Sequence, residues 1–83
     1  MTAWGKLIAR ILDVPENMRF EELRKVLEYY GYSMHSAKGG SHYTFRKEGR
    51  YPITIPKHNP IKRAYVRRVK DVIESEMEQD ADS

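Results

Sequence analysis

Trp4, Leu7, Ile8, Ile11 and Leu12 recur at i, i+3, i+4, i+7 and i+8, the spacing of one helical face. The spacing predicts a helix over residues 2–12, ended by Pro15, which disfavours helical angles at Val14. Phe20, Leu23, Val26, Leu27 and Tyr30 form a second stripe, surrounded by Glu21, Glu22, Arg24, Lys25 and Glu28. Gly31 follows, where a helix end favours a left-handed residue. The period then switches from helical to alternating. Tyr32 to Ser36 sets Tyr32 and Met34 against Ser33 and His35, and Ser41 to Lys47 sets Tyr43 and Phe45 against His42, Thr44 and Arg46. Tyr51 to Ile55 sets Ile53 and Ile55 against Thr54, and Lys47-Glu48-Gly49-Arg50 reads as the turn before it. Pro52 and Pro56 cannot donate ladder hydrogen bonds, so the third strand is expected to be short or to have an open edge.

Asn59-Pro60 reads as an N-cap followed by the residue favoured in a first helical turn. Ile61, Tyr65, Val69, Val72, Ile73 and Met77 then continue an apolar stripe, with Ala64 and Val66 beside it. The polar residues 79–83 are expected to fray. The pattern is therefore α-α-β-β-β-α. It predicts an α+β fold in which a three-stranded antiparallel sheet has its helices packed on one face. His42, Thr44, Arg46 and Thr54 are left on the other face, for solvent or a ligand.

The 83 residues form a single expected domain, one that buries only about 60–65% of its unfolded surface. There is no internal repeat and no linker. The absence of cysteine removes disulfides and thiolate metal sites and suits a reducing cytoplasm. No apolar run approaches the roughly 20 residues needed to span a bilayer, and the start has no signal-peptide pattern. A cytoplasmic protein with no membrane partner is the expectation.

The net charge of +3 conceals a sharp asymmetry. Residues 1–37 balance five Lys/Arg against five Asp/Glu, while residues 38–70 carry ten Lys/Arg against the single acid Glu48, a local excess of +9. Residues 71–83 carry six acids and no Lys or Arg. A basic middle suits a polyanion, because cations that neutralise phosphates release condensed counterions; a solvated charged surface is the plainer reading. The last helix sharpens the choice. Lys62, Arg63, Arg67, Arg68 and Lys70 crowd its start and Asp71, Glu74, Glu76 and Glu78 its end, the reverse of what the helix dipole favours by about 0.3–1 kcal/mol per charge. The pairs Arg67–Asp71 and Lys70–Glu74 would offset part of this. Helix stability does not account for the cluster, and phosphate contact would.

Three histidines compete for chemistry. His35 has no special setting and is read as structural. His58, within Pro56-Lys57-His58-Asn59, precedes the basic helix and suits phosphate contact. His42 follows Lys38-Gly39-Gly40-Ser41, where glycines let another molecule approach the main chain, and has a hydroxyl and cations nearby. An imidazole titrates near pH ~6.5 and so can take and return protons at neutral pH. No His/Asp/Glu cluster has metal-ligand spacing, and there is neither a phosphate-binding P-loop nor a defensible Ser-His-Asp set. No metal and no cofactor is expected.

Gly39-Gly40-Ser41-His42-Tyr43-Thr44-Phe45, then Ile53-Thr54-Ile55-Pro56-Lys57-His58-Asn59, then a closing basic helix, resembles the HicA family of bacterial toxins. The resemblance covers roughly residues 18–75, and with it a core domain at about 18–78, leaving the helix over 2–12 as an addition. It implies a double-stranded-RNA-binding-domain-like fold and an mRNA endonuclease that needs no metal. It also implies that His42 is the active histidine and that a HicB antitoxin blocks the site. Many relatives have a second histidine directly after the first; Tyr43 occupies that position here.

In metal-free RNA cleavage the ribose 2′-hydroxyl attacks the adjacent phosphate, leaving a 2′,3′-cyclic phosphate and a 5′-hydroxyl. His42 would act as base or acid, and Lys38, Arg46 and the backbone of Gly39, Gly40 and Ser41 would stabilise the added charge. Lys57, His58, Lys62, Arg63 and Arg67 would hold the flanking mRNA. The alternative is a non-catalytic RNA-binding module that reads A-form shape, or a domain whose basic surface meets an acidic protein.

Overall fold

A computed structural model of the chain describes residues 2–36 and 40–82, with residues 80–82 as backbone only. Its order is α1 (Ala3–Leu12), α2 (Phe20–Tyr29), β1 (Ser33–Ser36), β2 (His42–Arg46), β3 (Ile53–Pro56) and α3 (Arg63–Asp82). The strands form one antiparallel sheet in the order β1-β2-β3. The α+β class and the element order are those the periodicity predicts.

Local chemistry explains each boundary. Thr2 caps α1 by accepting the Gly5 N–H on its hydroxyl at 3.0 Å. At the end of α2, Gly31 takes φ +94°, and the Gly31 and Tyr32 N–H groups donate back to Glu28 and Leu27 at 3.0 Å each. This is a Schellman closure, and it drops Tyr32, 5% exposed, into the core. Gly49 at φ +79° makes the β2–β3 turn, with Arg50 N–H donating to Lys47 carbonyl at 3.0 Å. Val14 stands at φ +48°, a strained angle for a β-branched residue. It is over-determined on both sides: its side chain is buried and its carbonyl accepts from Arg63 Nε at 3.0 Å.

One core joins all six elements. Phe20 packs its ring 5.2 Å from Tyr43 and 6.0 Å from Phe45, tying the start of α2 to the covered face of β2. Ile55 from β3, and Val66, Val69 and Ile73 from α3, complete the cluster. Ile11, Val14 and Met18 belong to the same core, so α1 and its connection are part of the domain's interior. Trp4 lies 4.6 Å from Tyr29, half-buried between α1 and α2.

Three expectations need correction. Asn59 does not cap the last helix, which begins at Arg63; its Oδ1 instead accepts the Phe20 N–H at 2.7 Å, capping α2. The segment between is held by Ile61 N–H donating to the Met18 carbonyl at 2.8 Å. On α3, Val66 is fully buried and Ala64 exposed, while Met77 is 53% exposed, because the helix outruns the domain it packs on. Neither Arg67–Asp71 nor Lys70–Glu74 forms an ion pair. The helix runs on through residues 79–82.

Candidate nucleic-acid interface

Strand alternation divides the sheet. Tyr43, Phe45, Ile53 and Ile55 turn toward the helices, and His42, Thr44, Arg46 and Thr54 turn away. On the open face the register runs in rows. Ser33 stands opposite Arg46, His35 opposite Thr44, Thr44 opposite Thr54, and His42 opposite Pro56. The Thr44 and Thr54 hydroxyls meet at 3.1 Å and bind the central row across β2 and β3.

His42 opens β2 and is exposed. The residue before it is held: Ser41 accepts the Lys57 N–H on its carbonyl at 2.6 Å, extending the β2–β3 pairing beyond the strand ends. Lys38 and Gly39 lie outside the described residues. Gly40 and Ser41 lie directly before the strand, both exposed.

The other expected contact residues have different local neighbours. Lys57 Nζ lies 5.9 Å over the Phe20 ring, toward the start of α2. There Glu21 has its carboxyl held below the usual range, chiefly by a backbone N–H; burial opposes this, while Arg19, the Asn59 amide and Lys57 add to it. His58 donates its N–H to the Pro56 carbonyl at 2.9 Å and is exposed. Arg63 is engaged at the α1–α2 connection, on the Val14 carbonyl and 3.9 Å from Glu16. Lys62 and Arg67 are exposed at the start of α3.

Ion pairing sorts the cations of the basic middle. Lys47 and Arg50 both reach Glu76, at 2.8 and 3.8 Å, so the hairpin end is neutralised from α3. Among the described residues Arg46, Lys57, Lys62, Arg67, Arg68 and Lys70 have no acid within 4.0 Å. Such unmatched charge is available to an external anion.

His42 is exposed and lines none of three clefts of about 340, 350 and 320 Å³. The imidazole therefore stands on an open platform, and a substrate or partner must itself exclude the water around it. Among the described residues no three His, Cys, Asp or Glu side chains come together as metal ligands. Among the described residues no helix is long and apolar enough to cross a membrane.

Sequence reasoning passed over His35, which is exposed on the same open face as His42. Alternation alone puts it on the side opposite Met34, and only the β1–β2 register shows which part of β2 it faces.

A family model described as "HicA toxin of bacterial toxin-antitoxin" matches residues 20–79, from the first residue of α2 to near the end of α3. No curated protein and no solved structure matches the chain.

Proposed function

The chain belongs to the HicA toxin family, and from that premise we propose that it exerts its toxic effect by cutting mRNA with the His42 imidazole. The observation that carries the reading is the exposed imidazole at the start of β2, on the uncovered face of the sheet, next to a strand junction fixed by the Ser41–Lys57 bond.

RNA supplies its own nucleophile. The 2′-oxygen forms a bond to phosphorus as the bond to the 5′-oxygen breaks; the 2′-hydroxyl proton leaves to a base and the 5′-oxygen gains one. His42 takes part in this proton transfer, a role worth about 10²–10⁴-fold in rate. Arg46, on the same face, and the N–H groups of Gly40 and Ser41 oppose the charge that builds on the phosphate oxygens. Lys57, His58, Lys62, Arg63 and Arg67 hold the flanking backbone by charge. The family implies an antitoxin partner of HicB type; covering the open sheet face would remove the site from RNA.

The unmatched cations also favour a second reading, an RNA-binding module without cleavage. One comparison decides. The protein and His42→Ala are incubated with mRNA in excess EDTA. The expected result is cutting by the first alone, with 2′,3′-cyclic phosphate ends and RNA binding retained by the variant. Cutting by both overturns the role of His42, and binding without cutting by either establishes the module. Growth arrest on expression of the unaltered chain alone ties the chemistry to the toxin role.

A further inference from the structure

We infer that His35 is the second proton-transfer group of this site, working with His42 on opposite oxygens of one phosphodiester. The inference rests on the cleavage reading above and adds to it the group that completes the proton circuit.

The geometry comes from the register. His35 on β1 is aligned with Thr44 on β2, and His42 lies two residues before Thr44 on the same strand. Residues two apart on a strand share a face, so the two imidazoles are diagonal neighbours on the open side of the sheet. Diagonal neighbours across an antiparallel pair lie about 7–8 Å apart. That separation lets both rings reach one phosphate without stacking on each other.

Both side chains are exposed, and neither forms a hydrogen bond or ion pair with another described residue. Hence neither ring is committed to holding the fold. Among the described residues no helix covers this face. Among the described strand residues its other members are neutral apart from Arg46, which stands opposite Ser33, one row beyond the His35–Thr44 pair.

The chemistry needs such a pair. One imidazole accepts the 2′-hydroxyl proton as the 2′-oxygen bonds to phosphorus. The other, as imidazolium, gives its proton to the departing 5′-oxygen. After one turnover the two protonation states are exchanged, and water restores them. No further reactant is required, and a single histidine would leave one oxygen without a partner.

The test compares the unaltered protein, His35→Gln, His35→Asn and His42→Ala on two RNAs. One has an ordinary phosphodiester; the other has sulfur in place of the bridging 5′-oxygen, a leaving group that needs no proton. On ordinary RNA each His35 variant is expected to cut about 10²-fold more slowly, with unchanged RNA binding. The bell-shaped dependence of rate on pH should lose one limb. On the sulfur substrate, one histidine variant should recover and the other should not, and the one that recovers names the acid. Recovery of both, or of neither, overturns the pair. Cutting that needs His42 but keeps its rate and both limbs in the His35 variants overturns this inference alone. Cutting that is absent, or indifferent to His42, overturns the cleavage reading and the pair together.

Discussion

The side-chain oxygen of Asn59 accepts the backbone N–H of Phe20 at 2.7 Å, so the first turn of α2 is capped by a residue 39 positions later in the chain. Phe20 is also the ring that meets Tyr43 and Phe45. One bond thus links the start of a helix, the approach to α3 and the covered side of the strand that bears His42. Asn59→Ala should lower unfolding free energy by about 1 kcal/mol, the usual value of a lost cap. Asn59→Asp should keep most of it. Urea denaturation of the three proteins checks this; equal midpoints would mean the bond is replaced by water at no cost.

Glu76 gathers Lys47 and Arg50 at the end of the β2–β3 hairpin, with only 14% of its side chain exposed. Glu76→Gln should cost about 1 kcal/mol, more than a surface pair, because a half-buried ammonium loses its counter-charge. A double-mutant cycle with Lys47→Met should recover a coupling of similar size.

Tyr32 has its phenol pKa raised, first by burial and second by the Glu76 carboxylate, with Arg50 acting in the opposite direction. The folded state therefore holds the proton more tightly than the unfolded chain. The resulting stability is fully present below the unfolded value, near pH ~10, and is lost as pH rises through the folded one. Stability should fall above pH ~10, and Tyr32→Phe should flatten that decline. Melting temperatures from pH 8 upward provide the measurement; identical declines in both proteins would show that other groups cause the loss.

Arg63 and Arg67 lie one helical turn apart, yet they should respond differently to removal. Arg63 donates to the carbonyl of strained Val14, so Arg63→Gln should cost about 1 kcal/mol of stability. Arg67 has no acid partner, so Arg67→Gln should leave stability unchanged and reduce the salt slope of RNA binding by about 1. Fluorescence anisotropy across a salt series, beside melting curves, separates the two effects. A salt slope that ignores Arg67 would remove the start of α3 from the interface.

The local features of this fold were readable before the structure. The stripes of α1 and α2, the alternation that turns Tyr43 and Phe45 inward, and the turns at Gly31 and Gly49 all follow from short-range periodicity and backbone sterics. The misreadings share a different cause. Asn59 before Pro60 has the composition of an N-cap, but which helix it caps depends on where the chain returns in space. Met77 keeps the period of its stripe, but exposure depends on where the rest of the domain stops. At the candidate site, the same alternation placed His42 on the open face. The opposition of His35 and Thr44 could not be read that way, because strand register is a property of two segments together. Likewise the charge count of the middle segment did not show that Glu76 withdraws Lys47 and Arg50 from it.

The stretch matched by the family begins at Phe20, yet Ile11 is fully buried among residues of α2, α3 and the sheet. Likeness and cohesion therefore draw two different borders on this chain. Trimming to the first border would expose an apolar trough along α2 and α3. A shortened protein of that kind should be sticky before it is inactive, pairing with itself or with any apolar helix at hand.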